Sequence, residues 1–251
     1  MLFASGSSAF AAESLSFPPT SFVILDPDTG TRIGSSHYRV ESIAGGAILH
    51  GVNQFDNGQS DIETARLRSG GVDELPRLVE FDHTFYNADR SIQERAHVDL
   101  KSGAASCIDN TGGQQSEQRD VLSFPDDTWA GASVVLPIQH FLRDDGQTSS
   151  HSLHVFNCAP SPKIFAISVQ NDPGPATWAP YGGLALRVEV KPDFGWLNLL
   201  IAAFVPRLHA WFDPGADWAF VGDEAARYYK GSKIMLVRAR IESHRAERRI
   251  K

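Results

Sequence analysis

Hydrophobic and polar residues alternate most cleanly between Pro76 and Cys107, PRLVEFDHTFYNADRSIQERAHVDLKSGAASC. A period of two sends successive side chains to opposite faces of a strand, and the break near Ala88 and Asp89 makes the stretch a β-hairpin. With Ala88 and Asp89 as a two-residue turn, Val79 pairs with Val98, Phe81 with Ala96, His83 with Glu94 and Phe85 with Ile92. One face is then apolar apart from His83 and Glu94. The other gathers Glu80, Asp82, Thr84 and Tyr86 against Gln93, Arg95, His97 and Asp99, as on a sheet with one wet side.

The same period recurs along the chain. Arg32 to Ser42, Ala47 to Phe55 and Asp61 to Arg68 read as short strands, divided by Gly45-Gly46 and Asn57-Gly58 and ended by Gly70-Gly71. Asp26-Pro27-Asp28-Thr29-Gly30 is turn chemistry, and its acids lack the spacing of a calcium loop. Between Ser123 and Asp145 the period changes: Val134, Ile138, Phe141 and Leu142 fall on one helical face, with Asp126 or Asp127 placed to cap and Pro137 shortening or kinking the element. Ser152 to Asn157 and Lys163 to Gln170 form another hairpin. Leu184, Leu186, Val188 and Val190 alternate as a half-buried strand, and Leu208 to Asp213, Trp218 to Asp223 and Ile234 to Ser243 follow.

The pattern predicts an all-β fold: one antiparallel sheet curled into a barrel or half-barrel, with one or two short helices, over residues 20–243 as a single domain. Phe194 to Val205 is apolar nearly all round, so it is expected to be a buried helix or a cover over one opening of the barrel. No apolar run reaches the length of a membrane-spanning helix.

The chain has 251 residues, of which 42% are hydrophobic and 21% charged, enough for a sizeable core, and its formal net charge is −7. An acidic chain of this kind does not attract nucleic acid electrostatically. The basic end from His244 to Lys251 is expected to be a solvated tail. Residues 1–12 carry Ala9-Phe10-Ala11 before Ala12, the small-x-small pattern that closes a secretory signal, so they are expected to be a signal-peptide remnant on a periplasmic or otherwise exported protein. Two cysteines, Cys107 and Cys158, fit one disulfide in such a protein, or two idle thiols in a cytosolic one.

Nucleophile elbows, HExxH, phosphate loops and the dinucleotide glycine fingerprint are missing from the contexts they require, and no metal or cofactor is expected. His151 and His154, three apart on a strand, point to opposite faces. The paired acids Asp126-Asp127 and Asp144-Asp145 read as caps and solvated groups. His83 and Glu94 are the polar pair expected on an apolar face; a carboxylate beside an imidazole makes either a proton-transfer couple or a satisfied buried hydrogen bond. Phe81 and Phe85 beside them, and Trp196, Phe204 and Trp211 further on, are the candidate ligand-lining side chains, with ordinary core packing as the alternative.

Three stretches, Thr84 to Gly103, Pro125 to Arg143 and Pro206 to Asp213, resemble the exported bacterial family known as domain of unknown function 3108, over roughly residues 30 to 240. The resemblance implies a curled antiparallel sheet and an envelope location, and it brings no catalytic residues. A fainter likeness of architecture is to lipocalin-like exported proteins. The expected function is binding of a hydrophobic or amphipathic small molecule in the bacterial envelope. The alternatives are a lipocalin-like enzyme using His83 and Glu94 for acid/base chemistry on an apolar substrate, and an envelope scaffold or interaction protein.

Overall fold

The computed structural model describes residues 20–70, 74–144, 150–158, 161–172, 174–193, 208–226 and 231–239. The expected signal remnant, the segment Phe194 to Val205 and the basic tail lie outside them.

Eight strands, β1 (Thr20–Leu25), β2 (Arg32–Ile43), β3 (Gly46–Phe55), β4 (Ser60–Arg68), β5 (Arg77–Tyr86), β6 (Ile92–Asp99), β7 (Ala104–Asp109) and β8 (Ser116–Val121), form an antiparallel meander in which each pairs with the next. The chain continues through β9 (Thr128–Trp129), a 3-10 turn (Gly131–Val134) and α1 (Val135–Asp144). A second run follows: β10 (Ser150–Cys158), β11 (Pro162–Asn171), β12 (Ala176–Trp178), β13 (Gly183–Pro192), β14 (Leu208–Asp213), β15 (Ala219–Ala226) and β16 (Lys233–Arg238). β1 pairs with β16, with Ile24 opposite Leu236, so the two runs become wings of one sheet. Its order is β8-β7-β6-β5-β4-β3-β2-β1-β16-β15-β14-β13-β11-β10-β9, with β12 attached beside β13. The path has two ends, β8 and β9, and does not close into the barrel that the even recurrence of strands suggests. β8 is exposed at every position and polar at all but Val121, and β9 is only two residues long, so neither end offers a long apolar-faced strand for closure.

The wings nevertheless share one core. Leu49, Phe81 and Val98 from the first wing are buried in a single cluster with Leu153, Phe156, Leu186, Val188 and Phe212 from the second, and with Ile138 and Leu142 of α1. Fully burying a side chain of this size stabilises by about 1.5–3 kcal/mol, so this face dictates which residue of each strand points inward. α1 is a short helix of ten residues that contains Pro137. Pro137 sits in the first turn, where a backbone N–H has no helical partner to lose. Asp126 and Asp127 do not cap the helix: Asp126 pairs with Arg77 at 3.2 Å and Asp127 with His154 at 2.8 Å. Ser133 serves the turn instead, its hydroxyl donating to the Ala130 carbonyl.

Cys107 on β7 and Cys158 at the end of β10 form a disulfide between the wings, with Cα atoms 5.7 Å apart and 51 residues of sequence separation. Closing a loop of that length stabilises by about 4 kcal/mol in the chain-entropy model. The Cys107→Ser, Cys158→Ser double variant is expected to unfold at markedly lower urea concentration, by roughly that free energy. Coincident urea midpoints for variant and oxidised parent would refute a stabilising role.

Candidate functional site

The inward face of β2 to β6 is apolar at one end and polar at the other. Tyr38, Gly51, Glu63, His83 and Ala96 stand opposite one another on successive strands, and Ser36, Asn53, Asp61, Phe85 and Glu94 form the neighbouring row. Adjacent strands lie about 4.8 Å apart and neighbouring rows about 7 Å, so these side chains share one small area. Along β4, Asp61 and Glu63 occupy the same face as buried Ala65 and Leu67, while Ile62 points outward and is 39% exposed. The hydrophobic period is thus inverted at this end: parity set by Ala65 and Leu67 carries two acids inward.

Two glycines allow the approach. A Cβ on Gly51 would lie 2.6 Å from Tyr38 Cε1 and 2.7 Å from Glu63 Cγ, so only a bare backbone lets these side chains pass over β3. Gly131, at φ +53°, brings the 3-10 turn down on the row, where a Cβ would meet Glu63 Oε2 and Phe81 Cε2 at 2.6 Å. The following Ala132 N–H donates to the Glu63 carboxylate at 3.1 Å.

His83 Nε2 lies 2.7 Å from Asp61 Oδ1, with the two side chains 21% and 14% exposed. Asn53 Nδ2 donates to Asp61 Oδ2 at 3.0 Å, while Asn53 Oδ1 is buried without a protein hydrogen-bond partner. Asp223, from β15 on the other wing, faces inward opposite Leu236, and its Oδ1 is also buried without such a partner. Burial alone would lower the His83 pKa. The Asp61 carboxylate overrides it, helped by Glu63 and Glu94, and holds His83 up at about 9. Burial and then Asp61 raise Glu63 to about 7, against the opposing pull of His83 and the Ala132 N–H. Asp223 is raised to about 7, by burial first and Glu224 second. Burial and the charges of Glu63, Asp223 and Asp61 push Tyr38 well above 10, keeping its hydroxyl protonated. Near neutrality the face therefore holds a protonated imidazole beside carboxyl groups poised to gain or lose a proton, the ingredients of general acid/base chemistry.

The expected His83 and Glu94 pair is not formed as a directly opposed pair. His83 is opposite Ala96 and Glu94 is opposite Phe85. The turn takes three residues, Ala88 to Arg90, because Asp89 Oδ1 accepts from the Ser91 N–H and Arg90 adopts φ +69°. A bulge at Gln93 then adds a second extra residue, shown by the register shift between Phe85 and Tyr86. Each departure alone would exchange the faces. Together they restore parity, so His83 stays inward with a different partner.

Phe81 stacks on His83 with ring centroids 6.4 Å apart, and Phe85 is fully buried against Phe55 at 6.0 Å. Trp211 is elsewhere: it stacks on Trp178 at 4.3 Å in a separate cluster with Ala185 and Val221, because its neighbours Ala210 and Phe212 take the inward positions. Trp196 and Phe204 lie outside the described residues. Asp61, Glu63, Tyr38, Asn53 and Asp223 were not foreseen as site residues; the available signal was the period of β4 read backwards from Leu67. On the outward face, Glu80, Asp82 and His97 bring their potential ligand atoms within 4.8 Å of one another. Arg66 pairs with Glu80 at 3.3 Å and Arg95 with Asp82 at 3.5 Å, so this group is already charge-compensated.

In an NMR titration His83 is expected to titrate near 9. Asp61→Asn should bring that value down toward the ordinary 6.5, and Glu94→Ala should lower it less. A His83 pKa unmoved by Asp61→Asn would overturn the ion-pair assignment. Raised folded-state values also make stability fall with pH: the His83 contribution is complete below 6.5 and lost through 9, and the Glu63 penalty grows from 4.5 through 7. Glu63→Gln keeps a carbonyl acceptor for Ala132, so it should gain about 1–2 kcal/mol over the parent at pH 8 relative to pH 5, after screening by partial exposure. Parallel stability curves for the two proteins would contradict this. No protein-family model matches the chain, and no curated protein matches it either.

Proposed function

We propose that this chain is an exported, half-barrel-like protein that binds an amphipathic small molecule against the inward face of its sheet. The observation that carries the reading is the cluster of Asn53, Asp61, Glu63 and His83 from two neighbouring rows, a charged group set into an interior otherwise walled by Phe22, Phe55, Phe81 and Phe85. Buried ion pairs are commonly neutral or destabilising compared with apolar packing, and perturbed titrating groups collect at functional sites. Residual exposure of Asp61 and His83 leaves the cluster reachable from solvent. The polar head of the ligand meets this cluster and its apolar part lies along the aromatic side chains. Export accords with the disulfide, which persists in oxidising compartments, and with the resemblance to the exported bacterial family.

One observation favours a second reading. His83 and Glu63 face each other with pKa values held near 9 and near 7, a division suited to an acid and a base acting on a bound apolar substrate. Turnover of the bound molecule, detected by mass spectrometry, distinguishes an enzyme from a carrier.

Titration with the uncharged dye N-phenylnaphthylamine is expected to give saturable fluorescence enhancement that long-chain amphiphiles reverse. Phe85→Leu and His83→Gln should weaken dye or amphiphile binding several-fold with the circular dichroism unchanged. If no amphiphile displaces the dye from folded, oxidised protein, the binding proposal fails.

A further inference from the structure

We propose that the turn Gly131–Val134 and α1 form a strap across the inward face, and that ionisation of Glu63 beneath the strap loosens its first end and opens that face. The strap stands on contacts within the chain; that it admits an amphiphile rests on the binding reading above.

The strap reaches from one wing to the other. Its turn packs on β4 and β5, over Glu63 and Phe81, and α1 packs on β15 of the second wing. The far end is clasped by groups that do not touch the inward face: Arg143 Nη2 donates to Asp217 Oδ2 at 2.7 Å, and Gln139 Nε2 to the Asp217 carbonyl at 3.3 Å. The near end is fastened differently. Among the described residues, the polar bond that ties the turn to the strands runs from the Ala132 N–H to the Glu63 carboxylate, 3.1 Å from Oε1 and 3.4 Å from Oε2. The turn otherwise bonds to itself, Ser133 Oγ donating to the Ala130 carbonyl and accepting from the Ala130 N–H, so it can move as a unit. One carboxyl group is therefore both covered by the turn and the group that holds it.

The cover works against the charge. Gly131 lies so close that a Cβ there would be 2.6 Å from Glu63 Oε2, and the docked turn withholds water from the carboxylate. An ionised Glu63 accepts more strongly from Ala132, but burial and Asp61 outweigh that N–H and the attraction of His83, and hold Glu63 up at about 7. Asp223, from β15, adds to the opposition. Tyr38 and Glu94 face the same interior from β2 and β6, and Arg238 from β16 opposite Phe22. The turn carries no titratable side chain, and on α1 His140 pairs with Asp144 at 3.1 Å. Lifting the turn returns Glu63 to water, toward its ordinary 4.5. A carboxyl group that ionises less readily with the turn docked favours docking in its protonated form, so docking weakens as pH rises from 4.5 through 7 and levels off above.

Hydrogen exchange of the oxidised protein, read by mass spectrometry at pH 6 and pH 8 and corrected for the intrinsic rate at each pH, tests the strap. Protection of residues 131–142 is expected to fall about five- to tenfold between the two, while that of β3 changes less. In Glu63→Gln, whose amide cannot ionise and whose carbonyl still accepts from Ala132, the segment should be equally protected at both. Equal protection in the parent overturns the strap without any variant, as does a loss matched in β3, which is global opening. A loss that persists in folded Glu63→Gln overturns the assignment to Glu63. Stopped-flow mixing with N-phenylnaphthylamine tests the opening: entry should be several-fold faster at pH 8 than at pH 6 in the parent, and equal in Glu63→Gln. Entry at one rate while the strap loosens overturns its part in admitting the ligand, and absence of dye binding at either pH removes the binding reading and leaves the strap.

Discussion

The pairing of β1 with β16 is the constraint on which the architecture depends. Four residues of each strand, Phe22 to Leu25 and Met235 to Arg238, join two meanders that would otherwise be separate sheets. Every other strand pair on the path joins elements close in sequence, so this seam alone spans almost the whole described chain, and its closure entropy is recovered only when both wings are in place. The seam also brings Asp223 to the same interior as Tyr38 and Glu63: without it, β15 and β2 would have no reason to share a core. The place of Asp223 beside that ionisable face is thus a product of the longest-range strand pairing in the fold.

Strands are legible in the sequence where a wet face alternates with a dry one, as in β2 to β6. β8 illustrates the opposite case. Ser116 to Val121 is exposed at every position, so it lacks alternation, and only its ladder to β7 makes it a strand. Its charges, Glu117, Arg119 and Asp120, suit an edge that must not recruit another strand. The inward parity of His83 can be read from Phe81 and Phe85, whereas its partner cannot. That partner depends on the three-residue turn at Ala88 to Arg90, on a bulge at Gln93 and on the register of β4, none of which hydrophobic period encodes. Trp211 shows a further limit: period identifies alternate faces but does not say that β12 covers the second one.

Asp61, Glu63 and Asp223 are also what a core chosen for stability alone would omit. Burial raises Glu63 and Asp223 by disfavouring their charged forms, and each compensating contact is partial. Glu63 has the Ala132 N–H, Asp61 has His83 and one amide hydrogen of Asn53, and Tyr38 lies edge-on to Phe22 with ring centroids 5.8 Å apart. Glu63 is therefore both a titrating carboxyl group and the hydrogen-bond acceptor that seats the turn leading into α1, which ties its protonation to the docking of the helix.

The bond between Cys107 and Cys158 has a consequence for biosynthesis. These are the only two cysteines in the chain, so a single intrachain pairing exists and no shuffling among alternatives can occur. Oxidation has to wait until β10 has been made and brought beside β7, because the partner thiol is 51 residues away and on the other wing. Until then Cys107 is an unmatched thiol, and the error open to it is a bond to another molecule. Quality control of this protein therefore reduces to one question of molecularity, whether the first sulfur to reach Cys107 belongs to its own chain.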